Sequence, residues 1–258
     1  MAVNKVEYNE NGQLKTLIDL TADTVTADKL AKGYTAHDMS GNIITGTMES
    51  GSGDDTLLKS LIDRTITNID LPSGLTEIGD YAFCKCKNIT SISVPDGVTK
   101  IGYEAFSACI NIASVSLPEG LTEISDYCFL QCYKLESISL PNSITKINTG
   151  AFKFCEILPS ISLPEGLTYI GAYAFQYCYA LESVSLPASL TYIYEESFGN
   201  NKNLTSVTFK SKPKYIGSSV FSNCKNLTTI NVPWSKGEVE DSPWGAINAT
   251  INYNYNPT

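Results

Sequence analysis

The sequence predicts an α/β solenoid of 23-residue coils, each made of parallel strands plus a short helical turn, with a small N-terminal α+β module ahead of it. Three observations carry this. An apolar residue recurs eight times without a slip, at Leu71, Val94, Leu117, Leu140, Leu163, Leu186, Phe209 and Val232, and proline usually follows it. A fixed self-similarity of that length is the mark of stacked repeats rather than a globule. Other phases keep the same register: isoleucine from Ile78 through Ile147 to Ile216, phenylalanine from Phe83 through Phe152 to Phe221, and further aliphatic columns that begin at Ile89 and Ile92. Within a coil, S-I-S-V-P at 91–95 alternates polar and apolar at period two, as a half-buried strand does. One coil alone has nothing to bury its apolar side chains against, so each must be closed by its neighbours.

Taken in chain order, residues 1–50 read as a separate module. They hold a strand L-I-D-L at 17–20, a short helix A-D-K-L-A-K at 27–32 closed by Gly33, and a hairpin around Ser40, Gly41 and Asn42. A flexible Gly/Ser/Asp stretch at 51–56 forms the linker. L-L-K-S-L-I-D-R at 57–64, led by Asp54, Asp55 and Thr56 as N-cap candidates, reads as a helix that caps the solenoid of residues 57–234. In a typical coil the proline ends the first strand, and V-T-K-I-G at 98–102 supplies a second whose glycine lets the chain turn away. Y-E-A-F-S-A-C at 103–109 is too short for an independent helix and reads as one or two helical turns. With strands roughly 4.8 Å apart, eight coils span a rod of about 40 Å. Residues 235–258 read as a C-terminal cap, with Trp234 and Trp244 over the last open coil.

The string LPEGLTYIGAYAFQYCYALESVSLP at 163–187 is similar to the BspA-type leucine-rich repeat family, and the pattern runs through residues 60–234. That resemblance implies a curved right-handed solenoid of the kind found in bacterial surface and phage-associated proteins. It implies a binding or adhesion role and brings no catalytic residues with it. The tail WSKGEVEDSPWGAINATINYNYNPT resembles the ends of such proteins from gut Firmicutes and their prophages. TADTVTADKLAKGYTAHDMSGNIITGTM resembles N-terminal segments of tail-associated proteins of Firmicutes phages and prophages.

Composition narrows the function classes. The net charge of −9 argues against sequence-independent nucleic-acid binding, which needs clustered Lys and Arg facing phosphates. No run of 18 apolar residues is present to insert in a membrane, and the start MAVNKVEYNENGQ lacks the basic-then-apolar layout of a secretory signal. His37 is the only histidine and lies outside the repeats, and the acidic residues change phase from coil to coil. No nucleophile–base pair or carboxylate pair is marked, so the chain is read as a non-enzyme without cofactors. Six of eight cysteines share one phase: Cys86, Cys109, Cys132, Cys155, Cys178 and Cys224, with Asn201 in the remaining coil. A position that accepts thiol or carboxamide reads as small, buried and bonded to nearby backbone. Cys84 and Cys128 fit no metal-knuckle spacing.

The surface columns supply the candidate site. Immediately before the recurring isoleucine the residues run Glu77, Lys100, Glu123, Lys146, Tyr169, Tyr192 and Tyr215. Opposite charges on adjacent strands relieve repulsion, which accounts for the first half. Tyr169, Tyr192 and Tyr215, joined by Tyr173 and Tyr177 and by Tyr179 and Tyr194, make an aromatic density not seen in the earlier coils. Tyrosine offers broad contact area at low entropy cost, so these residues are the candidate partner-binding surface. The outward positions of the first strand, Ser91 and Ser93 and their repeats, form a flat hydroxyl face without large anchors, read as passive scaffold or as a surface for a hydroxyl-rich glycan. The combined expectation is a phage or prophage tail-associated protein. Residues 1–50 attach it to the virion or tail, or pair with copies of themselves into a homo-oligomer, and the solenoid meets a host surface protein or glycan. A bacterial cell-surface adhesin and a scaffold with no ligand of its own are the alternatives.

Overall fold

In most coils the two extended stretches hydrogen-bond to their equivalents in the neighbouring coils, usually 23 residues away, and this stacks the chain into two interrupted parallel ladders around one apolar core. A computed structural model describes residues 67, 69, 71, 74–239 and 243–256, together with the strand backbones at 5–10, 13–19, 35–37 and 43–45. Ahead of the repeats lie β1 (Lys5–Glu10), β2 (Gln13–Asp19), β3 (Thr35–His37) and β4 (Ile43–Thr45). The second stretch of the coils forms β5 (Leu75–Ile78), β7 (Lys100–Ile101), β9 (Glu123–Ile124), β11 (Lys146–Ile147), β12 (Tyr169–Ile170), β14 (Tyr192–Ile193) and β16 (Tyr215–Ile216). The serine-bearing stretch forms β6 (Ser91–Ser93), β8 (Ser114–Ser116), β10 (Ser137–Ser139), β13 (Ser183–Leu186), β15 (Ser206–Phe209), β17 (Thr229–Asn231) and β18 (Thr250–Asn252).

Register follows the repeat: Tyr169 pairs with Tyr192 and Tyr192 with Tyr215, while Ser91 pairs with Ser114 and Ser114 with Ser137. The ladder of second stretches is interrupted between β7 and β9, and the serine ladder between β10 and β13. There Pro159 stands at the phase of Ala113 and Glu136, whose N–H groups donate to Thr90 and Ala113, and a proline has no N–H to continue that chain of bonds.

The expected helical turns are corrected: no helix occurs among the described residues. A helix would spend every N–H within its own segment, whereas here alternate N–H groups leave for the next coil. Tyr81, Phe83 and Lys85 donate to the carbonyls of Tyr103, Ala105 and Ser107, and only Ala82, Cys84 and Cys86 bond locally, to Gly79, Tyr81 and Phe83. The segment is therefore a third inter-coil ladder made of consecutive turns. Its geometry demands a left-handed residue at two places per coil, seen at Tyr81, Glu104, Tyr127, Tyr173 and Glu196, and again at Lys85, Ala108, Gln131, Phe154, Tyr177, Asn200 and Asn223. Where the chain first bends, a Cβ added to Gly102 would lie 2.4 Å from Asp80 Oδ1 and 2.5 Å from the Asp80 nitrogen, so close approach to the preceding coil excludes a side chain there.

The core contains every expected column and two that the periodicity reading did not separate. Leu75, Val98, Leu121, Ile144, Leu167 and Leu190 form an additional aliphatic column, and Ala82, Ala105, Cys128, Ala151 and Ala174 a small-residue one. Cys128 thus sits where alanine sits elsewhere. The phenylalanine rings stack nearly parallel, with centroids 5.1–5.4 Å apart from Phe83 to Phe198 and interplanar angles of 4–11°. The cysteine column bonds as its composition suggested. The thiols of Cys109, Cys132, Cys155, Cys178 and Cys224 donate to the carbonyls of Phe83, Phe106, Phe129, Phe152 and Phe198 at 3.0–3.4 Å, and Asn201 Nδ2 does the same to Phe175 at 3.1 Å. Burial pushes these thiols up, that of Cys224 to about 11 and that of Cys178 to about 12.

At the C-terminal end Trp234 and Trp244 are buried against each other and against Phe209, with centroids 5.2 and 5.6 Å from that ring. Trp244 lies 23 residues after Phe221 and accepts its N–H at 2.9 Å, ending the phenylalanine column with a larger ring. At the other end β1 pairs antiparallel with both β2 and β5, matching Val6 with Ile78 and Tyr8 with Leu75. A strand from the N-terminal residues therefore covers the first coil. β3 and β4 form an antiparallel pair of their own. The helix expected at 27–32, the hairpin tip at Ser40, Gly41 and Asn42, the linker at 51–56 and the capping helix at 57–64 with its Asp54, Asp55 and Thr56 lie outside the described residues.

Candidate functional site

Alternation along a strand sends the residue before each core isoleucine outward. Glu77 and Lys100 meet in this column at 2.6 Å, and the same column then turns aromatic at Tyr169, Tyr192 and Tyr215. Tyr192 and Tyr215 are 40% and 39% exposed, and Tyr169 is half-buried. The three do not stack directly on one another. Tyr194 stands between them, its ring 5.2 Å from those of Tyr169 and Tyr215 and 6.5 Å from that of Tyr192. It occupies the phase held by Gly102, Gly171 and Gly217 in other coils, so this coil adds a ring where its relatives have none. The Tyr215 hydroxyl donates to Glu195 Oε1, and that bond is the main reason its phenol is held above the ordinary value. Burial raises Tyr169.

Tyr173 and Tyr177 fall in a second group on the turn ladder. Tyr177 stacks on Phe154 with centroids 4.4 Å apart and an interplanar angle of 5°, and meets Tyr179 edge-on at 6.0 Å. Lys153 Nζ lies 4.8 Å from the Tyr173 centroid, 5.6 Å from Phe154 and 5.9 Å from Tyr177, while Lys202 Nζ lies 4.0 Å over Tyr179. Ring contacts join members within each group, and none is made across the two among the described residues. Sequence reasoning missed Lys153, Phe154 and Lys202. The signal for Phe154 was present, because it lies one repeat before Tyr177.

The earlier coils carry a smaller aromatic run of their own. Tyr81, Tyr103 and Tyr127 form an edge-to-face run at 5.2 and 5.9 Å, and the absence of a side chain at Gly150 leaves room for the Tyr127 ring, which a Cβ there would meet at 2.4 Å. Their positions alternate between neighbouring phases, which hides the run from a reading by fixed columns. The serine positions of β6, β8 and β13 are exposed, as expected, and present small hydroxyls in register. Among the described residues no group of three His, Cys, Asp or Glu side chains is placed to hold a metal ion. No helix there is long and apolar enough to cross a membrane.

The repeat geometry is matched by the family model described as "BspA type Leucine rich repeat region", in six copies over residues 61–157 and 122–244. The chain belongs to the BspA-type leucine-rich repeat family. Such repeats are generally non-catalytic binding scaffolds. Among solved structures, this leucine-rich repeat protein is similar to the leucine-rich repeat protein of T. pallidum, at 33% identity and a TM-score of 0.56 over 63% of this chain and 75% of that one. It also shares its fold with a leucine-rich repeat protein from Bacteroides ovatus, at 21% identity and a TM-score of 0.57 over 98% of this chain and 76% of the other. No curated protein matches the sequence.

Proposed function

We propose that this leucine-rich repeat protein is a non-enzymatic binding protein of a phage or prophage tail, displaying its solenoid for recognition of a host-surface protein or glycan. The observation that carries the reading is the tyrosine column of β12, β14 and β16: rigid rings with hydrogen-bonding tips, in register and turned outward on a ladder that carries charges in its first coils. Residues 1–50 attach the protein to the particle or to further copies of itself, a role suggested by their resemblance to tail-associated segments.

The test is replacement of Tyr169, Tyr192 and Tyr215 by serine in the full chain, followed by attachment to host cells and by a glycan array. Because none of the three rings fills the central column, the urea midpoint is expected to stay close to that of the wild type while binding falls by about tenfold or more, as when contact anchors are removed. A large loss of stability with unaltered binding makes the column structural and sinks the reading. The genomic setting separates tail display from cell-surface display: tail-fibre or holin genes alongside favour the first, wall-anchor genes the second.

A further inference from the structure

We propose that Lys153, Phe154, Tyr173, Tyr177, Tyr179 and Lys202 form a subsite for a sugar residue carrying a carboxylate or phosphate. The proposal rests on the binding reading above and narrows its ligand to acidic glycans. The six side chains are contiguous. Lys153 lies over the rings of Tyr173, Phe154 and Tyr177, Tyr177 meets Tyr179, and Lys202 lies over Tyr179. The result is a cluster of rings and phenol hydroxyls that carries two ammonium groups. A pyranose suits such a cluster, because its C–H face packs on an aromatic ring while its hydroxyls reach the phenols.

Charge fixes the kind of sugar. The chain carries a net −9, and its described ion pairs use Lys100, Lys210 and Lys212 with Glu77, Glu165 and Glu238. Lys153 and Lys202 are not among them. Both ammonium groups rest on ring faces, a weak and readily exchanged interaction at an exposed site, so each is able to turn to an incoming anion. Two lysines against a strongly acidic background do not suffice for a polyanion such as nucleic acid, but they select a single acidic group held at short range.

The turn ladder positions these rings. Phe154 and Tyr177 occupy one of the two left-handed places that the repeat uses, and Tyr173 the other, so the same phases of neighbouring coils bring them together.

The test is titration calorimetry of the full chain with trigalacturonic acid and its trimethyl ester, and with mannose 6-phosphate and mannose. The acid form of at least one pair is expected to bind about tenfold more tightly than its neutral partner, and the pair that shows the difference identifies carboxylate or phosphate. High salt should weaken the acid form alone, and the Lys153→Gln/Lys202→Gln double variant should abolish the difference while keeping the wild-type urea midpoint. Equal affinity of acid and neutral forms, or an acid preference that survives in the double variant, overturns the subsite and leaves glycan recognition standing. Equal binding of poly-glutamate overturns the assignment to sugar. If none of the four sugars binds, the subsite is overturned, and attachment of wild-type protein to host cells then decides the binding reading separately.

Discussion

A phenylalanine carbonyl inside the stack has two lone pairs, and the local turn N–H satisfies only one of them. Phe83, for example, accepts from the Cys86 nitrogen at 3.0 Å and from the Cys109 thiol at 3.0 Å. A thiol fits this position because it is small, donates weakly, and has no second polar atom that must then be satisfied. Asn201 meets the first requirement and not the last: its Nδ2 reaches the Phe175 carbonyl, but its Oδ1 is buried without a partner. Asn201→Cys should therefore stabilise the protein by about 1 kcal/mol, since the orphaned acceptor is removed and a donor to Phe175 is kept. The check is urea unfolding, in which the midpoint rises with an unchanged slope. A midpoint that falls would mean that the carboxamide oxygen has a partner in solution and that the thiol is the poorer fit. The column's burial and backbone bonding were legible from six thiols and one carboxamide sharing a phase. The stranded oxygen was not, because composition does not say how many neighbours a position offers.

At the scale of the element, the phenylalanine column is what a coil contributes most to its neighbours. Phe152 is fully buried between Phe129 and Phe175, with centroids 5.4 and 5.3 Å away. Phe152→Ala should cost about 3–5 kcal/mol, because rings stacked on both sides and anchored to the ladders cannot collapse into the space. Thermal and urea unfolding measure this, and an unchanged midpoint would place the column outside the cooperative core. The strands were legible from period-two alternation. The turns were not read correctly, because Y-E-A-F-S-A-C has helical composition and the feature that prevents a helix is the export of alternate N–H groups to another coil, which no single coil encodes. The same limit applies to the candidate site. A column of tyrosines preceding isoleucine is visible in a repeat alignment of the chain with itself, whereas the Lys153 group crosses phases and coils and appears only when the coils are stacked.

Over the whole molecule, a stack of repeats passes stability only between neighbours, so its ends decide where it frays. Toward the C-terminal end Trp234 and Trp244 are buried, and Trp244 falls on the phenylalanine phase. The closing strand at the other end was not announced as such. β1 and β2 flank Asn11-Gly12, a dipeptide that favours a tight hairpin, but nothing periodic connects Val6 to its partner Ile78. Where β1 pairs with β5, it satisfies backbone groups that would otherwise form a bare sheet edge. Deletion of residues 1–19 should therefore leave the central coils intact while the first coil loosens. Hydrogen exchange read by mass spectrometry should show the amides of residues 75–78 losing protection, those around Phe152 remaining at wild-type rates, and Trp244 staying shielded in fluorescence quenching. Light scattering should show self-association of the truncated chain, driven by the uncovered edge and limited by Glu77 near its centre. Uniform loss of protection along the rod would mean that the N-terminal strand nucleates the whole solenoid. Unchanged protection at 75–78 would mean that the first coil is closed by something other than β1.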